Sequence, residues 1–204
     1  MTPAALADLI RTRAAQSGST RFIVALAGPP GAGKSTLSGA LLAHLGQGAR
    51  IVPMDGFHYD DAVLAARGLS ARKGAPETFD TGGFLLLMAR LRGDEPEIAI
   101  PVFDRSLELS RAAADVVTAA DRILIVEGNY LLLDEDPWRG LAPFFDLSVF
   151  LDVPETELDR RLVARWAHHG RDAQAARAWI DGNDLPNARR VIARSRRADM
   201  VLPG

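Results

Sequence analysis

Residues Gly28-Pro29-Pro30-Gly31-Ala32-Gly33-Lys34-Ser35 fill every fixed position of the pattern G-x-x-x-x-G-K-[ST]. Each type has a physical task toward a chain of phosphates. Glycines let main-chain N–H groups turn inward and approach an anion closely. A helix that begins at the end of such a loop adds unpaired first-turn N–H groups and the positive end of its dipole. Lys34 would reach the β- and γ-phosphates as a point charge, and the Ser35 hydroxyl would take one position on Mg²⁺. The run from Gly28 to Thr36 is therefore the expected nucleotide site.

Other residues could act beside it. Asp55 lies in Met54-Asp55-Gly56-Phe57-His58, and is read either as a turn or as a carboxylate at the phosphate end of the sheet. Glu127 ends an apolar run, Ile123-Leu124-Ile125-Val126, where an acid orders the shell of a metal, unless it is simply a buried acid paired with a core arginine. Arg72 and Lys73 are adjacent cations able to grip an anionic or hydroxylated substrate, or are merely solvated surface. With His58 and Phe103 they describe a polar pocket; Asp104 and Arg105 are either substrate contacts or a surface ion pair. Arg161 and Arg165, four apart on a helix, share a face.

Several elements must hold these groups. Phe22-Ile23-Val24-Ala25-Leu26-Ala27 reads as a strand buried on both faces, and Ser35 to Leu45 as a helix with Leu37, Leu41, Leu42 and Leu45 on one side. A short strand from Ala49 to Met54 places Asp55 at its carboxyl end. Further buried strands are expected over Ile123–Gly128 and Phe144–Leu151, with a last one over Ala198–Leu202. An amphipathic helix over residues 3–16 should pack against the sheet edge, a short helix should lie within 59–68, and Phe84–Leu91 reads as a helix buried nearly all round. Pro101 makes the segment from Ile98 to Arg105 an edge or irregular strand, and residues 107–121 fit a hairpin or a helix equally. Asp152-Val153-Pro154-Glu155 is a helix start with Asp152 as the capping acid, and Gly170 ends that helix. The arginines that follow (Arg171, Arg177, Arg189, Arg190, Arg194, Arg196 and Arg197) point to a mobile segment closing over phosphates.

The 204 residues suit one α/β domain, 48% hydrophobic and 25% charged, with formal net charge −2. Nothing global draws such a chain to nucleic acid or to an anionic membrane, though a local cation cluster suffices for a phosphorylated metabolite. The chain has no cysteine, which excludes a disulfide frame and a thiolate metal site. No basic n-region precedes an apolar core and no run approaches a membrane span, so the expected location is cytoplasmic.

Taken together, the segments Gly28–Ser35, Met54–His58, Arg72–Asp80, Pro101–Asp104, Val126–Leu133 and the Arg161, Arg165, Asn187 stretch resemble the uridine kinase, phosphoribulokinase and bacterial pantothenate kinase group. Within that group the chain is similar to bacterial proteins labelled fructose transport system kinases. The resemblance implies a P-loop NTPase three-layer α/β fold: a parallel sheet of about five strands, helices on both faces and an arginine-rich lid over about residues 160–190. It implies ATP and Mg²⁺ as cofactors and a small hydroxylated molecule as acceptor, and it admits a homodimer. It also implies roles: Asp55 as catalytic carboxylate, Glu127 near the metal, Arg161 and Arg165 on the lid, Asn187 toward the adenine. Uridine kinases carry a His shortly after Pro-x-Tyr-Asp, whereas Phe103-Asp104-Arg105-Ser106-Leu107 has none, which counts against uridine. The rival reading, a nucleotide-hydrolysing switch acting on a protein partner, lacks both the guanine motif and the transporter signature.

Overall fold

The structure, a computed structural model, describes all residues 1–204. Five parallel strands form the central sheet in the order β2-β5-β1-β6-β7: β1 (Phe22–Ala27), β2 (Ala49–Pro53), β5 (Ile123–Gly128), β6 (Leu147–Asp152) and β7 (Met200–Pro203). The alternation of side chains along β1 divides the core in two. Ile23, Ala25 and Ala27 enter a cluster with Val126, Tyr130, Trp138 and the helix α4 (Thr81–Arg92). Phe22, Val24 and Leu26 enter the other, with α1 (Pro3–Ser17), Leu41 of α2 (Lys34–Leu45) and Leu158 of α5 (Glu155–His168). Both faces are thus covered, and for that reason β1 is apolar without a break.

The strand β2 is parallel to β1, as its position demanded, but is not its neighbour, because β5 lies between them. From β1 the chain crosses one way to β2, and the strands β6 and β7 lie on the other side. The crevice at this reversal is where an open parallel sheet takes ligands.

Some local expectations change. Helix α1 lies on one face of the sheet and against α2 rather than at the edge, burying Leu6, Ala7 and Ile10. Helix α4 is not buried all round: Leu86 is 70% exposed. The strand expected from Phe144 begins at Leu147, because Trp138–Phe144 turns as a 3-10 helix. Asp152 is the last residue of β6 and caps nothing; α5 opens at Glu155 with Pro154 before it.

Residues 97–118 form the hairpin of the two open alternatives. Here β3 (Glu97–Asp104) and β4 (Leu109–Thr118) pair antiparallel in a separate sheet, and the register shifts at Pro101, which has no N–H to give. The arginine-rich region is helical: α6 (Ala173–Trp179), a π-turn over Ile180–Asp184, and α7 (Leu185–Arg194). Leu162, Ile180 and Leu185 give it a small core of its own. Between β2 and α4 lies the short α3 (Asp61–Ala66), capped by Asp60. No helix is long and apolar enough to cross a membrane.

Candidate active site

At the carboxyl ends of β1, β2 and β5 a polar cavity of about 470 Å³ opens. Its floor is the loop after β1. Gly31 and Gly33 there have φ of 82° and 92°, values that L side chains rarely adopt. A Cβ on Gly28 would meet the Leu151 carbonyl oxygen at 3.0 Å, so this turn can close only with glycine. Helix α2 starts at Lys34 with no side chain capping its first-turn amides, which face the cavity mouth with Ser35 and Thr36. This open cradle fits a polyphosphate.

Lys34 donates from Nζ to the carbonyls of Gly28 and Pro29, both at 3.0 Å, and to Asn129 Oδ1 at 2.6 Å. Burial lowers its pKa to about 8, against the opposing pull of Asp55 and Glu127. The Ser35 hydroxyl donates to Glu127 Oε1 and Ser38 to Oε2, both at 3.1 Å, and burial raises the Glu127 pKa. Two hydroxyls on one carboxylate, with no cluster of three or more acids or histidines placed to hold a metal, suit a Mg²⁺ that arrives on phosphates rather than one caged by protein.

Asp55 sits on the turn that ends β2 and lines the same cavity. A Cβ on Gly56 would meet the Pro101 carbonyl oxygen at 2.3 Å, so the Asp-Gly pair permits the hairpin to press against this turn. Arg105, at the hairpin tip, forms an ion pair with Asp55 Oδ2 and lies over the Phe103 ring at 4.7 Å. His58 Nδ1–H donates to the Asp55 carbonyl at 2.8 Å, and its ring packs on Phe79 and Phe103. Burial lowers the His58 pKa, leaving the ring neutral near pH 7.

From the other side, α5 brings Arg161 and Arg165. Arg161 donates to the Ala32 carbonyl at 3.2 Å and to Glu157 at 2.7 Å, so it braces the phosphate loop. Arg165 makes no ion pair; it lies 5.7 Å over the Trp166 ring, and burial together with Arg105 lowers its pKa.

Not every candidate reaches the cavity. Arg72 turns to Glu77, Asn183 and Asn187, tying its loop to the lid. Asp104 stays in its own turn, accepting from Ser106 and Arg111, and so does not pair with Arg105. Lys73 lines the cavity with Asp61 at 2.7 Å, and Asn187 reaches it while being otherwise buried. Among the later arginines, Arg177 pairs with Asp159 and Asp181, Arg189 with Glu155 and Arg190 with Glu135 and Glu77; Arg171 stacks between Trp166 and Trp179. None of these four lines the cavity, whereas Arg161 and Arg165 do. Sequence reasoning did not single out Asn129, Glu108 or Asp184, which do line it. Only Asn129 had a local signal, as the first polar side chain after the β5 carboxylate.

A phosphate loop at the switch point of a parallel sheet, facing a carboxylate and a helical flap, defines the P-loop kinase class. Residues 23–204 match the Phosphoribulokinase / Uridine kinase family, and the chain belongs to it; it is a phosphotransferase acting on a hydroxyl. Among curated relatives, the uncharacterized protein YggC of Escherichia coli is 38% identical, covering 89% of this chain and 77% of that one. The "Putative uridine kinase C227.14" of Schizosaccharomyces pombe is 33% identical over 89% of this chain and 83% of its own. The pantothenate kinase of Cutibacterium acnes is 32% identical, and the match spans about half (48%) of that protein. A crystal structure from Silicibacter sp. TM1040, described as a "putative fructose transport system kinase", superposes with TM-score 0.93 over 100% of both chains at 46% identity.

Proposed function

We propose that the protein transfers the γ-phosphoryl group of ATP to a hydroxyl of a small metabolite. The observation that carries this reading is the sharing of one cavity by the phosphate loop, the Asp55–Arg105 pair and the unpaired Arg165. The loop amides, Lys34 and Ser35 hold the phosphate tail, and Glu127 with Ser35 would hold Mg²⁺, which supplies neutralisation of the phosphate charge. Arg105 engages one oxygen of Asp55, leaving the other free for an acceptor hydroxyl. Asp55 orients that hydroxyl and takes its proton as the new P–O bond forms and the bond to the ADP oxygen breaks. Arg165 neutralises charge on the group in flight, and Arg161 keeps the loop in place. Transfer of this kind is mainly positioning and electrostatics, and the removal of one such cation costs on the order of 10²-fold or more in rate.

The test is an ATP-consumption screen over sugars, sugar phosphates, nucleosides and vitamin precursors, read by the mass of the product. The named relatives keep uridine and pantothenate in the panel. Consumption that waits for an acceptor supports transfer. Full turnover with no acceptor would replace it with a nucleotide-hydrolysing switch.

A further inference from the structure

The hairpin tip holds Glu108 at φ 53°, a left-handed backbone uncommon for a side chain of this kind. A left-handed residue at the end of a short loop is a common way to close a hairpin. The Glu108 carbonyl accepts from Lys73 Nζ at 2.9 Å, and its carboxylate, which lines the cavity, lies 3.7 Å from the same ammonium. Lys73 also meets Asp61 at 2.7 Å, so two of its donors are engaged and its charge is paired with two carboxylates. Arg105 is engaged by Asp55. On this side of the cavity the cations therefore come already neutralised. A further carboxyl, Asp184, enters from the lid, held by Trp166 Nε1–H at 2.7 Å. Arg165 lines the same cavity without an ion pair, and the proposed mechanism gives it to the transferring phosphoryl group. What is left for the acceptor is mostly hydrogen-bond acceptors: the Glu108 and Asp184 carboxyls, the second oxygen of Asp55, and His58 Nε2, whose Nδ1 carries the proton.

Resting on the kinase reading, we propose that the acceptor is a neutral polyol of the sugar class, and that Glu108 selects it. Hydroxyls donate to this carboxylate, whereas a phosphate or carboxylate on the acceptor meets like charge beside Lys73 and Arg105, which are already paired.

The experiment gives the enzyme Mg-ATP and matched pairs: D-ribose and its monophosphate, D-fructose and its monophosphate, glycerol and D-glycerate. Product mass and kcat/KM are read for each. The expected result is a preference for the neutral member of at least one pair by about a hundredfold or more. Glu108→Gln should narrow that preference by about tenfold or more, through a higher KM for the neutral member and a lower one for the anionic member. Glu108→Gly, which suits the left-handed backbone, should fold well and narrow it equally. Preference for the anionic members overturns the inference and leaves phosphoryl transfer standing. Transfer to none of the six, with transfer to a nucleoside or a vitamin precursor, overturns the sugar inference and leaves phosphoryl transfer standing; transfer to no acceptor of the wider panel, with ATP still bound, overturns both. An unchanged preference in both variants removes Glu108 from the selection.

Discussion

Lys34 is useful only while charged, and its burial brings the loss of that charge close to working pH. The protonated form is the one that holds phosphates, and in the free protein its pKa lies at about 8. Because kcat/KM reports the free enzyme, kcat/KM for ATP should fall as pH rises through about 8. Lys34→Arg keeps its charge across that range, so its profile, whatever its height, should lose the alkaline fall. Glu127 would set the opposite limb: burial raises its pKa, so it protonates, and would lose its hold on a metal, at a higher pH than an ordinary glutamate does. Asp55 is tested by Asp55→Asn, which keeps the shape and removes the base. The expected outcome is a drop in kcat of about 10²–10⁴-fold with KM for ATP nearly unchanged, measured in steady-state kinetics. An unchanged kcat would remove Asp55 as the base.

The elements that hold these residues depend on contacts remote in sequence. Arg21, just before β1, is buried, and its guanidinium donates to the carbonyls of Leu91, Gly93, Glu95 and Thr118. It closes the end of α4 and joins the hairpin to the sheet. Arg21→Ala leaves these carbonyls short of donors and should cost about 3 kcal/mol, read as a lower urea midpoint. In β4, Ala113 has φ 51°, opposite the register shift at Pro101. Ala113→Gly should therefore stabilise the hairpin by up to about 1 kcal/mol in the same assay, relief of the left-handed strain exceeding the entropy glycine adds to the unfolded chain. The bulge also explains what the sequence left open there. Buried strands such as β1 and β5 declare themselves as unbroken apolar runs, but the exposed Ala112-Ala113-Ala114 breaks the alternation that separates hairpin from helix. The lid was illegible for another reason: arginine spacing reports charge, not partner, and the acids that bind Arg189 and Arg190 lie far away in the chain. Phosphate-loop residues were legible because their roles are local, and Glu108 was not, because its partner Lys73 comes from another loop.

At the scale of the molecule, stretches far apart in the chain wall one cavity, among them the loop after β1, the β3–β4 hairpin and the lid helices. The lid is tied down where Arg72 reaches Asn183 and Asn187, and where the Asn183 amide donates to the Lys73 carbonyl at 2.7 Å. A ligand that bridges these walls binds the folded chain alone, so its binding energy adds to stability. An ATP analogue at a hundredfold over its Kd should add about 2.7 kcal/mol. For a domain of this size that is a rise in Tm of about 5–10 °C, measured by scanning calorimetry. Lys34→Ala separates site from fold. The variant loses a desolvated ammonium but leaves three acceptors short of a donor, so its own unliganded Tm is the baseline, and the analogue at the same concentration should raise it little. An equal gain in both proteins would place the nucleotide outside the phosphate loop.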